Sequence, residues 1–431
     1  MNLFKKIYCR CYQTAFRAVL PILPYRSPKK LSSISELIQL LQEKQMHSVL
    51  LVTDASLRSL EITKPLEQGC KENGIQCIVY DQTVANPTTD NVEEALSLYH
   101  THDCQALIGF GGGSSIDCAK AVGARIAQPK KTLGQMKGIL KIHRRLPLLI
   151  AIPTTAGTGS ETTLASVITD AKTREKYPIN DFPLIPHYAI LDASLTCSLP
   201  PMLTATTGLD ALTHAIEAYI GRSTTKQTRK DSLDAIQLIF DNLEEAVNHG
   251  QNLEARKNML LASFLAGRAF TQSYVGYVHA IAHSLGGKYN IPHGLANAVL
   301  LPIVLKTYGA SAHKKLYEIA CMLNLADEND SMEHGANCLI EAIEQMERRL
   351  NIPTYLEGIQ EKDIPSLAAL ADKEANPLYP VPMLMDANEL VPLYYLVKKG
   401  ENDETRRNQC TDQQTKNIFS NWRNAFGFHT N

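Results

Sequence analysis

The chain lacks several features that would set it apart from ordinary globular proteins. Its 431 residues carry 43 Lys and Arg against 44 Asp and Glu, so the formal net charge is −1 and no general attraction to nucleic acid is expected. Its ten cysteines are scattered and include no CxxC pair, which predicts free, mostly buried thiols in a reducing compartment. No internal repeat is present. The length and the 44% apolar content predict two or three domains with a large core.

The first 35 residues contain no acidic residue. Their basic residues are Lys5, Lys6, Arg10, Arg17, Arg26, Lys29 and Lys30. The apolar residues recur every three or four positions, which places them on one face of a helix; they are Phe4, Ile7, Tyr8, Cys11, Tyr12, Ala15 and Val19. A basic amphipathic helix is therefore predicted, ended by Pro21 and Pro24.

A membrane-spanning helix needs about 20 apolar residues. This helix has no uncharged run of that length, because Arg17 interrupts it. A secretory signal is also not expected, since no clear apolar region with a small-residue cleavage site follows. Two interpretations stay open. Residues 1–34 are an extension that packs on its own protein or on a partner subunit, or residues 1–30 make peripheral contact with an anionic membrane surface.

Between residues 35 and 195 the pattern alternates between helix and strand. Short apolar runs predict strands at 48–54, 75–81, 104–110 and 146–153. Helices are predicted near 33–44, 56–73, 90–102 and 116–127, with Asp90 as an N-cap and Asn73-Gly74 as a helix end. Such alternation predicts a parallel sheet with both faces covered, and hence an α/β domain over 35–195.

After about residue 195 the strand signal stops and helical segments follow to about residue 400. We therefore expect an all-helical second domain over 196–400. Residues 401–431 form a polar tail, in which the sequence at 418–426 predicts one further helix.

Two glycine-bearing loops follow predicted strands. The first contains Gly111, Gly112, Gly113, Ser114 and Ser115 and opens a helix. Glycine lets backbone amides approach a ligand closely, and a helix N-terminus suits a pyrophosphate, although glycine also serves tight turns by sterics alone. The second loop, 152–163, carries Thr154 and Thr155 among its hydroxyls. Two such loops at strand ends predict a nucleotide cleft.

Asp54 follows the first predicted strand. A carboxylate there is placed to accept hydrogen bonds from an adenosine ribose and to repel a 2′-phosphate, which favours NAD over NADP. The alternative is an ordinary turn aspartate.

A metal site is indicated by three pieces of helix. Asp210 and His214 are four residues apart, as are His279 and His283, and His293 follows a predicted break at Gly286-Gly287. Leaving so many buried polar groups without partners would cost about 1–3 kcal/mol each. A divalent cation such as Fe²⁺ or Zn²⁺ fits one carboxylate and several imidazoles. Five side chains are available, so one of them is left for another role, such as a proton relay.

Four motifs together resemble the iron-containing (group III) alcohol dehydrogenases. They are GLDALTHAIEAY (208–219), HAIAHSLGGKYNIPHGLANA (279–298), GGGSSIDCAK (111–120) and PTTAGTGSE (153–161). The resemblance spans residues 35–400. It implies a Rossmann-like α/β N-terminal domain, an all-α C-terminal domain and a cleft between them, which is the fold shared with dehydroquinate synthase.

The same resemblance implies roles for individual residues. Asp210, His214, His279 and His293 would hold the metal, His283 would relay protons beside the nicotinamide, and Phe270 would line the substrate pocket. NAD would contact Asp54, Asn86, the 111–115 loop, Thr154, Thr155 and Lys176.

The implied activity is hydride transfer between a primary alcohol or aldehyde and NAD(H), with Fe²⁺, Zn²⁺ or another divalent ion, in a cytoplasmic homodimer or larger homo-oligomer. Alternatives are a polyol dehydrogenase of the glycerol type, a lyase of the dehydroquinate synthase type, and a catalytically silent scaffold or membrane-surface protein. The sequence departs from the family at Asn376-Pro377-Leu378, where relatives have an arginine in place of the leucine, so the substrate preference stays open.

Overall fold

The computed structural model describes residues 1–399, so the predicted tail at 401–431 and its helix at 418–426 lie outside the described residues. The strands are β1 (Lys29–Leu31), β2 (Ser48–Val52), β3 (Gln76–Tyr80), β4 (Ala106–Gly111), β5 (Gly138–Ile139), β6 (Leu148–Pro153), β7 (Ala165–Thr169), β8 (Lys176–Asn180) and β9 (Tyr188–Ile190).

The helices before residue 150 are α1 (Leu3–Val19), α2 (Ile34–Glu43), α3 (Ala55–Ser59), α4 (Lys64–Glu72), α5 (Thr89–Thr101), α6 (Gly113–Ala127) and α7 (Leu133–Met136). The later helices are α8 (Pro201–Ile220), α9 (Lys226–Asn248), α10 (Leu253–Ser273), α11 (Tyr277–Tyr289), α12 (His293–Tyr308), α13 (His313–Met322), α14 (Met332–Arg349), α15 (Ile364–Ala375) and α16 (Ala387–Val397).

A six-stranded parallel sheet forms the N-terminal half, with strand order β1-β9-β6-β4-β2-β3. Its central strands are buried along their whole length because they are continuous apolar runs, and helices cover both faces. Since all six strands run the same way, their carboxyl ends meet at one edge. The loops after the neighbouring strands β4 and β6 therefore lie side by side, where open α/β sheets bind ligands.

The predicted fold class, an α/β domain followed by an all-helical domain, is confirmed. Five strands were not predicted, however. β1 and β9 add one edge of the main sheet, while β5, β8 and β7 form a separate three-stranded sheet. Three of them, β1, β5 and β9, have only two or three residues, and β7 and β8 alternate between buried and less buried residues, so none contains the long apolar run of a buried strand.

Three local helix predictions were wrong. The helix expected at 56–73 is two helices, α3 and α4, because Glu61 takes a positive φ of 60° and Pro65, in the first turn of α4, favours the start of a new helix. The N-cap of α5 is Thr88, which forms a capping box with Asn91, and Asp90 lies inside the helix. Gly286 and Gly287 do not break α11, which ends at the left-handed Asn290.

The second half consists of α8 to α16 around its own apolar core. No single described helix is long and apolar enough to cross a membrane. One bent pair, His293–Ser311 with His313–Met322, passes the length and composition test together, but it turns by 117°. Most of α12 is buried in the helical core, which accounts for its apolar composition.

Residues 1–34 lie against both halves of the protein. α1 is formed as predicted and packs on the helical half, while β1 pairs with β9 in the main sheet. The Arg26 guanidinium donates to the carbonyl oxygens of Ile185 and Pro186 in the α/β half. The segment predicted as an extension thus contributes one strand to the sheet, and the structure supports the interpretation that it packs on its own protein.

The nine described cysteines are all free, as predicted. Their burial is lower than expected, since Cys9, Cys70, Cys104 and Cys118 are buried whereas Cys11 is exposed and the other four are intermediate.

The loop after β6 touches the helical half through its glycines. A Cβ on Gly157 would lie 2.6 Å from Thr207 Cβ and 2.7 Å from its carbonyl oxygen, and one on Gly159 would lie 2.6 Å from the Cα of Gly267. Only glycine permits such backbone contact. The 152–163 loop is thereby seated directly on α8 and α10.

Substituting Gly157 by alanine tests this contact. We expect Gly157→Ala to destabilise the protein by about 1–3 kcal/mol, because the added methyl group meets backbone atoms that cannot give way. Gly287→Ala is the matched control, since nothing lies within 4 Å of its Cβ position and alanine favours a helix. Thermal unfolding of both variants measures the difference, and equal melting temperatures for Gly157→Ala and the wild type would contradict the contact.

Candidate metal centre and cofactor cleft

Three helices bring the predicted metal ligands together. Asp210 and His214 lie one turn apart on α8, His279 lies in the first turn of α11, and His293 begins α12. One ligand atom from each of these four side chains lies within 4.8 Å of the others. Asp210 Oδ1 is 3.9 Å from His214 Nδ1, 3.7 Å from His279 Nε2 and 3.5 Å from His293 Nε2.

The four side chains fit a divalent cation. His214 Nδ1 and His279 Nε2 are buried without a hydrogen-bond partner, although such atoms are costly to leave unpaired. Oxygen and imidazole nitrogen are ligands that both Fe²⁺ and Zn²⁺ accept. Asp210, His214 and His279 are buried, while 36% of the His293 side chain is exposed, so the cluster is open on the side of His293.

The electrostatics of the cluster centre on Asp210. Burial alone would raise the pKa of this carboxyl, but His214, His293 and His279 together lower it far below its usual range. Burial lowers the pKa of His214 to about 3, which keeps the ring neutral, as a metal ligand must be. The pKa of His293 shifts in the same direction for the same reason.

Glu217, which was not predicted, orients His279. Its carboxylate is buried, and Oε2 lies 2.6 Å from His279 Nδ1. The same carboxylate accepts the backbone N–H groups of Gly276 and Val278 at the start of α11. An acceptor at Nδ1 holds the proton there and leaves Nε2 free to bind a metal. Burial would lower the pKa of His279, but Asp210 and Glu217 raise it to about 9.

Asn297 is a second residue that was not predicted. It lies one turn after His293 on α12 and is fully buried. Its amide Nδ2 donates to Asp210 Oδ1 over 2.6 Å and lies 3.1 Å from His293 Nε2. Asn297 therefore holds the carboxylate of α8 against the imidazole of α12.

His283 lies beside the cluster, not within it. Its ring stacks on that of His293 with centroids 5.1 Å apart, and 41% of its side chain is exposed. Nδ1 lies 2.7 Å from Glu374 Oε1, which also accepts the hydroxyl of Tyr379 over 2.7 Å. Burial would raise the pKa of Glu374, but His283 and the hydrogen bond from Tyr379 lower it, so the carboxylate is ionised.

Glu374 and Tyr379 were also not predicted, although both flank the departure at Asn376-Pro377-Leu378. The predicted pocket residue Phe270 lies at the opposite side of the cluster. Its ring stacks on His214 with centroids 4.0 Å apart and an interplanar angle of 11°.

The first glycine loop is shaped for close approach of a ligand. Gly111 has φ +151°, and a Cβ there would lie 2.6 Å from Ser115 Oγ. Gly112 is the N-cap of α6, so the backbone N–H groups of the first helical turn face the sheet edge. Thr154 N donates to the carbonyl of Gly111 over 3.0 Å, which ties the two loops together. Thr155 is the nearest neighbour of a Cβ on Gly112, at 3.6 Å.

Three further residues predicted to contact NAD meet at this edge. Asn86 has a positive φ of 58°, and its N–H donates to Ser114 Oγ over 3.2 Å. Lys176 Nζ donates to Asn86 Oδ1 over 2.6 Å. Nearby protein atoms desolvate the ammonium of Lys176 and lower its pKa although much of the side chain is exposed, while Asp117 and Glu374 oppose that shift.

Asp54 has a structural role that the sequence left open. It is the N-cap of α3, and its Oδ1 accepts the N–H groups of Ser56 and Leu57. The turn interpretation therefore holds for Oδ1. Contact between Asp54 and a ribose stays a prediction.

The second glycine loop is joined to the metal cluster through α8. A Cβ on Gly157 would lie 2.6 Å from Thr207 Cβ, and Thr207 lies on the helix that carries Asp210 and His214. A dinucleotide seated on the two loops would therefore lie near the cluster.

Comparisons with known proteins agree with this arrangement. The model of the Fe-containing alcohol dehydrogenase family, C-terminal, matches residues 204–395, and that of iron-containing alcohol dehydrogenase matches residues 29–193. 1,3-Propanediol dehydrogenase of Citrobacter freundii is 38% identical over 366 residues, covering 84% of this chain and 93% of the relative. NAD-dependent methanol dehydrogenase of Bacillus methanolicus is 36% identical over 321 residues, covering 74% of this chain and 84% of the relative. The solved structure of 1,3-propanediol oxidoreductase superposes with a TM-score of 0.83 at 35% identity, covering 86% of this chain and 98% of that one.

Replacing a metal ligand should separate metal binding from folding. We expect His279→Ala to lose bound metal and alcohol oxidation while the α/β half still folds, because His279 belongs to the helical half. Metal content by mass spectrometry and circular dichroism measure the two effects. The exposed His334 supplies the control variant His334→Ala. Normal turnover by His279→Ala across the substrate range would contradict the assignment.

Replacing Glu217 tests the orientation of His279. Glu217→Gln retains the shape but places an N–H₂ group against donors, so we expect metal affinity to fall by about 10–100-fold. Competition with a chelator measures that affinity. The exposed Glu245 on α9 gives the control Glu245→Gln. Metal retention by Glu217→Gln that equals the control would show that Glu217 only caps α11.

Proposed function

The chain belongs to the iron-containing alcohol dehydrogenase family and is a metal-dependent, NAD-linked alcohol dehydrogenase; we propose that its substrates are short, uncharged primary alcohols or diols and the corresponding aldehydes. The observation that carries the activity is the cluster of Asp210, His214, His279 and His293, which is open on the side of His293 and is carried in part by α8, the helix that the second glycine loop contacts.

Each group in the cleft has a distinct task. The four ligands would hold a divalent cation, which would supply Lewis acidity toward an alcohol oxygen. The 111–115 and 152–163 loops would position NAD, the hydride acceptor of the reaction, by backbone N–H groups and hydroxyls. Glu217 and Asn297 hold the ligands in place before substrate arrives. We propose that Asp54, Asn86 and Lys176 complete the cofactor site.

His283 is the proposed proton relay. Its Nδ1 is engaged by Glu374, so Nε2 is the nitrogen left to exchange a proton with the substrate or with solvent. Because part of the ring is exposed, the proton has a route to water. Tyr379 holds Glu374 in turn, so the ring is oriented by two groups in series.

The substrate class follows from charge and from the relatives. The 1,3-propanediol and methanol dehydrogenases are named for short primary alcohols, one of them a diol. In this chain the ionised Glu374 lies one side chain away from the cluster, and it repels an anionic substrate. The polyol dehydrogenase interpretation is compatible with the same site. Phe270 supplies an apolar wall, and its stacking on His214 favours this role.

Several properties of the protein outside the cleft belong to the same proposal. We expect a cytoplasmic protein that assembles into a homodimer or a larger homo-oligomer. We also propose the predicted peripheral membrane contact through residues 1–30, which the exposed apolar residues of α1 support.

The activity is tested with the purified full-length protein, loaded separately with iron and zinc. Formation of NADH is followed with methanol, ethanol, 1-propanol, 1,3-propanediol and glycerol, and its consumption with the matching aldehydes. We expect turnover of the short primary alcohols or the diol, and slower reaction with NADP. Binding of NAD without turnover of any alcohol or aldehyde, with either metal, would contradict the proposal.

Glu374→Gln tests the origin of the preference for uncharged substrates. The ratio of kcat/KM for an anionic aldehyde to that for a neutral aldehyde of equal length should rise about fivefold or more, because one nearby negative charge is removed. Any effect on the relay through His283 lowers both rates and cancels in the ratio. Glu357→Gln, on the exposed surface, is the control. An unchanged ratio would place the substrate away from Glu374.

A further inference from the structure

The amphipathic helix α1 is attached to the protein mainly by polar side chains. Its buried or half-buried residues are the polar Lys5, Arg10 and Gln13 together with Cys9 and Phe16. Most of its apolar residues point the other way, and the exposed fractions are 69% for Leu3, 85% for Phe4, 52% for Ile7 and 59% for Tyr8. This orientation is the reverse of that expected for a helix on its own core.

The attachment is specific. The Arg10 guanidinium donates to the carbonyl oxygens of Val381 and Pro382, each over 2.8 Å, and Gln13 Nε2 donates to the carbonyl of Tyr379 over 2.8 Å. Lys5 pairs with Asp372, and the amino group of Met1 pairs with Asp386. Because these contacts fix the rotation of the helix, the apolar face is held outward.

We call this surface the outer face of α1, consisting of Leu3, Phe4, Ile7, Tyr8, Cys11, Tyr12, Ala15 and Val19. All eight residues are exposed. Among the described residues, large exposed hydrophobic side chains number seventeen, and six of them belong to this face, with Ile22 as a seventh just beyond it. Such a concentration on one helix indicates a binding surface.

The charged side chains that α1 exposes beside its outer face are basic. Lys6 and Arg17 are exposed, and neither forms an ion pair with a carboxylate in the described part of the chain. Residues 1–35 contain no acidic residue. An apolar face flanked by lysine and arginine is complementary to a surface that is apolar below and negative above.

We propose that the outer face of α1 docks the enzyme on an anionic lipid surface. The 17-residue helix is about 26 Å long and would lie in the plane of the membrane interface, with Phe4 and Tyr8 among the acyl chains and Lys6 and Arg17 at the headgroups. The polar face of α1 would keep the catalytic body attached to the helix.

A second copy of the chain is the other natural occupant of such a face. A two-fold contact would place the outer face against itself and bring the basic residues of both copies together. The segment has no acidic side chain to neutralise them. Anionic lipid supplies the opposite charge, so the observations favour the membrane.

The test uses the full-length protein and vesicles of phosphatidylcholine, either alone or with about one-third phosphatidylglycerol. We expect the wild type to sediment with the anionic vesicles at low salt and to stay in the supernatant with neutral vesicles or at high salt. Phe4→Ser with Tyr8→Ser, and separately Lys6→Gln with Arg17→Gln, should each lower the partition coefficient by about tenfold or more.

Leu60→Ser with Leu253→Ser is the matched control, because both residues are exposed apolar side chains elsewhere, and it should sediment as the wild type does. Alcohol oxidation in solution should be unchanged in all variants, which separates this proposal from folding and from catalysis. The proposal is overturned if the wild type ignores anionic vesicles, or if Phe4→Ser with Tyr8→Ser sediments normally. It is equally overturned if light scattering shows that this variant dissociates a dimer, because the face then belongs to a second copy.

Discussion

The site depends on one buried carboxylate shared by three imidazoles. Asp210 lies within 4 Å of a nitrogen of His214, His279 and His293, and these rings come from three helices. A divalent cation would pair the buried nitrogens of His214 and His279, which have no hydrogen-bond partner within the protein. Glu217 holds the His279 ring, Asn297 holds the Asp210 carboxylate, and the apolar core of α8 to α12 fixes the helices. The helical half therefore keeps the ligands together.

The sequence predicted the site better than its surroundings. The i, i+4 pairs identified Asp210, His214, His279 and His283 because helical spacing places such residues on one face. Asn297 has the same spacing from His293, so the same rule would have found it. Glu217 lies two turns after Asp210 on the same helix, and its position between Ile216 and Ala218 in an apolar stretch is the signal that could have identified it. Both residues were missed because the sequence prediction considered only i, i+4 pairs in which both members are histidine or aspartate.

Long-range contacts set the limit of sequence reasoning. Glu374 lies ninety-one residues after His283, and nothing local in the sequence relates the two. The short strands β1 and β9 pair across most of the α/β half, and their pairing depends on the fold as a whole. The amphipathic character of α1 was readable, but its rotation was not, because polar contacts with residues 372–386 decide which side faces the protein. An amphipathic helix usually buries its apolar face, whereas α1 exposes most of its apolar residues.

The course of residues 1–31 also constrains how the enzyme can move. α1 is tied to the helical half and β1 to the sheet, so this segment joins the two halves a second time, in addition to the link at 191–200. Two connections restrict the relative motion of the halves to rotation about the axis that passes through both connections. They suppress the twisting that a single link would allow. When the dinucleotide binds or leaves, the two halves would then open and close by this one rotation. An enzyme trimmed at its N-terminus would regain the lost rotational freedom even with every catalytic side chain present.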